Sequence, residues 1–262
     1  MSNASKIVHE LQALLRPMVA EHRMSPVAWP EEITLAEGSW ARTRVKLQTE
    51  VHRGEGFLSR LQVATVTSPD DTMAALTAVA VPSPELSAPV FGCDLVAFRG
   101  RFVLAALDLS GGKSTSEDAH RLEMARMQLV SVAEPRPVPD FGVSCFSPHA
   151  TLVAESSQPL DEALPNAFRT YLSCFAHRMT RSPIRSWEQG REEQRRYFAA
   201  MRANKRESKA MGKLFGASWA KRYFEDYFFC DSLEEFGSGG RDVPLPSSSE
   251  GSGAPELTAM SA

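Results

Sequence analysis

The sequence predicts an α+β fold: a three-layer α/β/α sandwich in which helices cover both faces of a central antiparallel β-sheet. Residues 40–110 contain several segments in which apolar and polar side chains alternate, as they do in strands. Short turns separate these segments, and strands joined by short turns pair in antiparallel fashion. Segments with apolar residues at helical spacing precede and follow this region, so helices are available for both faces of the sheet.

The first helix is predicted over residues 6–23, where apolar residues such as Ile7 and Leu11 recur at helical spacing. Pro17 is expected to end or kink this helix, because proline lacks the N–H group and clashes with the preceding turn. An extended connector is expected at residues 26–30.

The remaining elements follow in order along the chain. Strands are predicted at residues 45–51, 58–66, 73–81, 90–98 and 102–109, and another around 145–154. Helices are predicted at residues 117–132, 160–180, 186–203 and 207–229, the last broken at Gly216. From residue 237 onward glycine, serine and proline dominate, a composition that cannot bury enough apolar surface to fold. We therefore expect one domain over residues 1–236 and a disordered tail over residues 237–262.

The bulk composition excludes several classes of function. The net charge of −3 gives no support for nucleic-acid binding, and no stretch approaches the roughly 20 apolar residues that span a bilayer. The N-terminus lacks the apolar run of a secretion signal, so a cytoplasmic location is expected. The four cysteines are far apart and form no Cys-x-x-Cys pair, which predicts reduced thiols and no metal site.

Positive charge is concentrated in the predicted C-terminal helices. Residues 178–222 contain thirteen Lys or Arg against four Glu. Such a basic helical face could steer an acidic partner toward the protein. On the residues alone, an ordinary solvated helix surface is the favoured interpretation.

Asp94 is the residue in the strand region that points most directly to chemistry. It interrupts the apolar strand at 90–98, and alternation places it on the same face as Val90, Gly92 and Val96. A carboxyl group among such neighbours is poorly solvated and tends to keep its proton, which suits a general acid. Gly92 leaves room for a flat ligand to approach the sheet. The alternative is a structural aspartate that bonds to the backbone or pairs with an arginine.

The residues around Asp94 resemble those of a known family, the ferredoxin-dependent bilin reductases. The similarity is carried by Pro-Val-Phe-Gly-Cys-Asp-Leu-Val at 89–96, Ala-Ala-Leu-Asp-Leu-Ser at 105–110 and Phe-Gly-Ala-Ser-Trp-Ala-Lys-Arg-Tyr at 215–223. The order and spacing of the three segments are more specific than any one of them. The resemblance covers roughly residues 30–232.

This resemblance implies an α/β/α fold and a definite chemistry. Family members bind biliverdin IXα, an open-chain tetrapyrrole, between the sheet and the C-terminal helices, and they hold no metal or flavin. Electrons arrive singly from reduced ferredoxin, a protein with a 2Fe–2S cluster, and the bilin itself carries the radical. The protein supplies protons, and Asp94 matches the family's central proton donor. The resemblance also implies a monomer. It accounts for the positive charge of segment 178–222, because ferredoxins are acidic.

Several partner positions depart from the family pattern. Thr77, seventeen residues before Asp94, stands where the phycocyanobilin-forming enzymes have histidine. Thr65 falls where those enzymes carry the glutamate that reduces the outer vinyl group. Lys205, with Asn204 beside it, falls near a third acid, and Arg206 fits a position where a cation contacts a propionate. The resemblance thus assigns catalysis to Asp94 and substrate binding to Thr65, Thr77, Asn204, Lys205 and Arg206.

The departures favour a narrower reaction than phycocyanobilin formation. Threonine cannot donate a proton as a carboxylic acid does, so outer-vinyl reduction is not expected. Reduction at a methine bridge, giving 15,16-dihydrobiliverdin or phycoerythrobilin, is favoured instead. Two alternatives stay open: a bilin- or tetrapyrrole-binding carrier without turnover, and an unrelated α+β interaction protein whose motif matches arose by chance.

Overall fold

The computed structural model describes residues 1–40, 42–112, 115–156 and 158–231. The helices are α1 Asn3–Glu21, α2 Glu31–Thr34, α3 Ser116–Val132, α4 Ala163–Arg181, α5 Trp187–Arg202, α6 Lys205–Phe215 and α7 Ala217–Arg222, followed by a π-helix over Tyr223–Phe228. The strands are β1 Ser25–Pro26, β2 Leu35–Trp40, β3 Thr43–Arg53, β4 Leu58–Thr67, β5 Met73–Pro82, β6 Val90–Phe98, β7 Arg101–Ser110, β8 Ala133–Pro135 and β9 Thr151–Glu155.

The strands form one antiparallel sheet in the order β1-β3-β4-β5-β6-β7-β9-β8, with β2 paired to β3. Consecutive strands β3 to β7 are neighbours because short turns connect them. The β6–β7 turn shows why: Arg99 and Gly100 both have positive φ, at 50° and 77°. Two such residues make the turn whose twist matches the twist of paired strands, and glycine adopts this conformation without strain.

Helices cover both faces of the sheet, which confirms the predicted three-layer α+β architecture. On one face α1, α3 and α4 enclose a core that includes Phe91, Phe168 and Phe175. On the other face, which we call the site face, α2, α5 and the C-terminal helices enclose a second core containing Tyr197 and Phe228. Each fully buried aromatic or aliphatic side chain contributes about 1.5–3 kcal/mol to folding.

The sequence did not predict the short elements α2, β1, β2 and β8, and the predicted elements differ from the structure in three places. Pro17 does not end α1, which continues to Glu21. The strand predicted around 145–154 begins only at Thr151, because the preceding residues form turns anchored by Asp108. The helix predicted over 207–229 is divided at Gly216, as expected, but its last turns are π-helical.

Two further sequence predictions concern the C-terminal tail and membrane-spanning segments. The predicted tail over 237–262 lies outside the described residues. In the ranges that the structure describes, no helix is long and apolar enough to cross a membrane. All four cysteines are free thiols, and three of them, Cys93, Cys174 and Cys230, are buried.

Candidate functional site

A row of small side chains crosses the middle of the site face and surrounds one carboxyl group. Register pairs Thr49 with Ala64, Ala64 with Thr77, Thr77 with Asp94, and Asp94 with Ala106. Paired residues in adjacent antiparallel strands point to the same face. The row therefore brings small side chains together on the site face, and Asp94 is its one ionisable group.

Asp94 is held by a hydrogen bond from its neighbour on β5. The Thr77 hydroxyl donates to Asp94 Oδ1 at 3.0 Å. The Asp94 side chain is partly accessible to solvent, but protein atoms surround the carboxyl group beyond its immediate neighbours. Burial raises the pKa of Asp94 to about 6, although the Thr77 hydrogen bond acts in the opposite direction. Asp94 is thus a carboxyl group that can hold a proton close to neutral pH.

Glu207 on α6 is a second acid beside Asp94, and sequence reasoning missed it. Burial is the main cause that raises the pKa of Glu207 well above the ordinary glutamate value, and the charge of Asp94 raises it further. The Asn204 amide donates to Glu207 Oε2 at 3.1 Å, which opposes this shift. The Asn204 side-chain oxygen also accepts a hydrogen bond from the Glu207 backbone N–H at 3.3 Å. Asn204 therefore both caps α6 and orients the Glu207 carboxyl group.

The two carboxyl groups form a pair in which one proton is hard to remove. Like charges close together in a poorly solvated place cannot both ionise without a large cost. The pair therefore keeps one proton after the other has been released. Such a pair can deliver a proton from Asp94 and hold a second proton in reserve.

Tyr197 occupies the space above Gly92. Its hydroxyl lies 3.0 Å from where a Cβ atom on Gly92 would be, so a larger residue at position 92 would crowd it. The expectation that Gly92 leaves an open approach for a flat ligand is corrected: the glycine makes room for the tyrosine. Burial, followed by the charge of Asp108, raises the pKa of Tyr197 well above its ordinary value, so its hydroxyl keeps its proton.

Thr65 does not lie at the site, contrary to the prediction that it contacts substrate. It pairs with Leu76, and Leu76 pairs with Leu95, so its side chain points to the opposite face of the sheet. The β4 residue that faces the site beside Thr77 is Ala64. A shift of one residue along a strand reverses the face, and the sequence match did not fix the register.

The other predicted substrate contacts divide into two groups. Thr77 and Asn204 are brought to the acid pair, the first through Asp94 and the second through Glu207. Lys205 and Arg206 are exposed on the outer side of α6, and neither has an ion pair among the described residues. The structure therefore gathers Asp94, Thr77, Asn204 and Glu207, but not Lys205 or Arg206.

Asp108, at the end of β7, lies near the site and has a structural role. It accepts hydrogen bonds from the Ser110 hydroxyl at 2.5 Å and the Ser147 hydroxyl at 2.6 Å. The Ser147 backbone N–H also donates to it at 3.2 Å. Asp108 thereby ties the turns before β9 to β7.

Gln62 presents a buried amide to the site face. It is 0% exposed, and neither its Oε1 nor its Nε2 has a hydrogen-bond partner among the described residues. Gln62 shares the site face with Ala64, two residues along β4. A buried amide without partners costs about 1–3 kcal/mol.

Replacing Gln62 with leucine is expected to raise the free energy of unfolding by about 1 kcal/mol, because the variant buries no unsatisfied amide. Urea denaturation of the ligand-free protein measures this. Gln194→Leu is the matched control: Gln194 is also buried, but its Nε2 donates to the Pro82 carbonyl at 2.9 Å. Gln194→Leu should therefore destabilise the protein. If both variants lose stability equally, the Gln62 amide has a partner in solution.

A separate cleft of about 400 Å³ opens between the turns at 140–144 and α5. It is lined by Asp140, Phe141, Ser144, Arg196, Ala199, Ala200 and Ala203. None of the acid-pair residues lines it. We locate the chemistry at the acid pair, where two carboxyl groups lie together on the site face. Among the described residues, no three His, Cys, Asp or Glu side chains converge as metal ligands would.

Comparison with known proteins gives the family. Residues 12–230 match the model of the ferredoxin-dependent bilin reductase family. The chain is 23% identical over 241 residues to phycocyanobilin:ferredoxin oxidoreductase of Prochlorococcus marinus strain MIT 9313, covering 88% of this chain and 90% of that protein. It is 22% identical over 212 residues to the enzyme of the same name from Trichodesmium erythraeum, covering 79% and 85%.

A solved structure shows the same fold. Phytochromobilin synthase from tomato, in complex with biliverdin, superposes with a TM-score of 0.68 at 18% identity, covering 89% of this chain and 85% of that chain. At this identity the likeness establishes the fold alone. The family model spans most of the chain, and the sequence resemblance had pointed to the same family. The chain belongs to the ferredoxin-dependent bilin reductases, a family of oxidoreductases.

Proposed function

We propose that this enzyme reduces biliverdin IXα to a phytobilin with electrons taken singly from a reduced 2Fe–2S ferredoxin. The observation that carries the proposal is the acid pair Asp94–Glu207 on the site face, in a chain of the bilin reductase family. The tomato relative whose fold this chain shares is solved with biliverdin bound. An acid that is protonated near neutral pH is what reduction of a π-system requires from the protein.

The reaction balances with protons from the protein and electrons from ferredoxin. Asp94 transfers its proton to the bilin, which makes the conjugated system a better electron acceptor. One ferredoxin is oxidised as it delivers an electron, giving a neutral bilin radical. A second electron and a second proton complete the reduction of one double bond. Glu207 beside Asp94 is placed to return a proton to the Asp94 carboxylate.

The site face favours reduction at a methine bridge over reduction of the outer vinyl group. The β4 side chains that share the face of Asp94 are Arg60, Gln62, Ala64 and Val66, and none is an acid. A vinyl group lying over β4 would therefore have no carboxylic acid to protonate it. The acids of the pair instead serve one region of the ligand, which supports 15,16-dihydrobiliverdin as the product of one two-electron reduction. Phycoerythrobilin would form if a second round of two electrons and two protons followed at another position.

Further residues are proposed to hold the ligand. Thr77 and Asn204 border the acid pair, so both are within reach of a ligand that contacts it. Each terminal ring of biliverdin is a lactam, whose N–H and C=O match the donor and acceptor of the Gln62 amide. Lys205 and Arg206 could bind propionates at the edge of the site, where their charges remain solvated.

The test is anaerobic mixing of the protein with biliverdin, followed by reduced ferredoxin. Turnover predicts loss of the biliverdin spectrum and one new product on chromatography, identified against authentic 15,16-dihydrobiliverdin, phycoerythrobilin and phycocyanobilin. Phycocyanobilin as the product would overturn the methine-bridge assignment. A bound-bilin spectrum that never changes would support the carrier, and no spectral change on mixing would exclude a bilin function.

A further inference from the structure

A pair of arginines, Arg60 on β4 and Arg191 on α5, lies at the end of the sheet where the described chain also ends. Arg60 is only 5% exposed. Its Nη1 donates to the Cys230 carbonyl at 2.8 Å, and its Cζ lies 4.6 Å from the centre of the Phe198 ring. Each hydrogen bond of Arg60 within the described residues goes to a carbonyl or a thiol, not to a carboxylate. Arg60 is therefore a buried charge bonded to neutral groups, and such a charge is costly to desolvate.

Arg191 is directed to the same place by the spacing of residues on α5. Arg191, Gln194 and Phe198 are separated by three and four residues, so they share one side of the helix. That side faces the sheet, because Gln194 Nε2 donates to the Pro82 carbonyl at 2.9 Å and Phe198 contacts Arg60. The residue before Pro82 pairs with Arg60. Burial lowers the pKa of Arg60, and the positive charge of Arg191 lowers it further, which agrees with this placement.

Two observations together distinguish this arginine pair from other cations. Arg60 and Arg178 are the two Lys or Arg residues that are buried in the described part of the chain. The negative charge of Asp118 lies near Arg178, whereas a second cation lies beside Arg60. Arg191, in turn, has an Nε that is shielded from solvent and has no hydrogen-bond partner among the described residues. The pair thus combines closely spaced positive charges with an unused hydrogen-bond donor.

We propose that Arg60 and Arg191 form a binding site for an oxyanion, either a carboxylate or a phosphate group. Arginine binds both groups through two parallel N–H···O hydrogen bonds, and the Arg191 Nε is a donor available for one of them. Arg191 is partly exposed, so a small rotation of its side chain presents the guanidinium to an anion from solvent. Arg60 and its cross-strand partner Arg53 add positive charge. The nearby Asp231 carboxylate does not fill this role, because Arg202 binds it at 2.9 Å.

An anion at this site stabilises the last segment of the site face. The Cys230 carbonyl, which Arg60 binds, follows the π-helix. Tyr223, at the start of that helix, has its hydroxyl 2.9 Å from Thr49 Oγ1 on β3. The anion therefore helps to hold both ends of the π-helix against the sheet, and a ligand that binds only the folded chain raises Tm.

The oxyanion can come from two sources. One is free phosphate, and the other is the chain itself, since Glu234 and Glu235 follow Asp231 in the sequence, outside the described residues. The test therefore measures the thermal unfolding of the full-length, ligand-free wild type and of Glu234→Gln/Glu235→Gln, in inorganic phosphate and in chloride at equal ionic strength. Each protein is also made with Arg191→Gln. Arg195→Gln, which removes an exposed arginine one turn further along α5, is the matched control.

Phosphate at about ten times its Kd is expected to raise Tm by about 3–6 °C, and Arg191→Gln should abolish this rise while Arg195→Gln retains it. An equal rise in the wild type and in the glutamate variant assigns the site to a free anion. A rise in the glutamate variant alone assigns it to the chain's own carboxylates. If neither protein gains more from phosphate than its Arg191→Gln counterpart, the arginine pair is not an oxyanion site. The measurement needs neither biliverdin nor ferredoxin, so its outcome is independent of the proposed function.

Discussion

Replacing Asp94 with asparagine is expected to lower the turnover of biliverdin by about 10²–10⁴-fold, the usual contribution of a general acid. Asparagine has the shape of aspartate, and its carbonyl can still accept the Thr77 hydroxyl bond, so the site keeps its geometry. It has no acidic proton to give. Biliverdin should therefore bind with an affinity close to that of the wild type, while reduced ferredoxin produces a long-lived radical that stopped-flow absorbance and electron paramagnetic resonance detect.

Asp118→Asn is the control for a buried carboxyl group outside the site. Asp118 is 0% exposed on α3, on the opposite side of the sheet, and is bonded to His177 Nδ1 at 3.1 Å. This change should lower stability but leave the turnover per folded molecule unchanged. Asp94→Asn protein that turns over at the wild-type rate would remove Asp94 from the mechanism.

Replacing Glu207 with glutamine is expected to slow turnover by about 10–10²-fold and to change its pH dependence. Glutamine retains the contact with Asn204 but cannot return a proton to Asp94. Asp94, with a pKa of about 6, must then be reprotonated from solvent. The rate of the variant should fall about tenfold for each pH unit above 6, whereas the wild-type rate should hold to higher pH.

The same variant should also change how stability depends on pH. Both acids have raised pKa values in the folded protein, so above pH 4 the folded chain keeps protons that the unfolded chain releases. The free energy of unfolding therefore declines as pH rises through the folded pKa values. Each proton retained corresponds to a slope of about 1.4 kcal/mol per pH unit. Glu207→Gln removes one such group, so its stability should decline less between pH 5 and 8.

The exposed Glu192, paired with Arg196, provides the control for Glu207. Glu192→Gln should leave both the pH–rate profile and the pH dependence of stability as in the wild type. Combining Asp94→Asn with Glu207→Gln should lower turnover little further than Asp94→Asn alone, because the two acids act in one proton path. Additive losses would mean that Glu207 acts independently of Asp94.

The layered fold was predictable because its signals are local. Strand β6 was predicted over 90–98 and spans Val90–Phe98, since alternation and the Arg99–Gly100 turn both define it. Asp94 was found for the same reason: a carboxyl group in an apolar strand stands out in the sequence. The turns before β9 were not predictable, because they depend on Asp108, which lies far away along the chain.

The composition of the site was harder to predict, because it depends on register and helix rotation. Thr65 was placed on the wrong face, since one residue of register decides the face of every side chain in a strand. Glu207 lies among lysines and arginines and looked like part of a solvated surface. One signal could have found it: Asn204-x-x-Glu207 has the spacing of a capping box, which orients the glutamate toward the start of its helix.

The order of the two cores along the chain has a consequence for biosynthesis. The core that contains Phe91 is complete once α4 has been made, whereas the site-face layer is synthesised last. A nascent chain that has reached α4 must therefore expose Val45, Leu47 and Val79 to solvent or to a chaperone. A chain ending at residue 182 should bind a hydrophobic dye strongly, and one ending at residue 231 should not; equal binding would show that the site face is covered before α5 emerges from the ribosome.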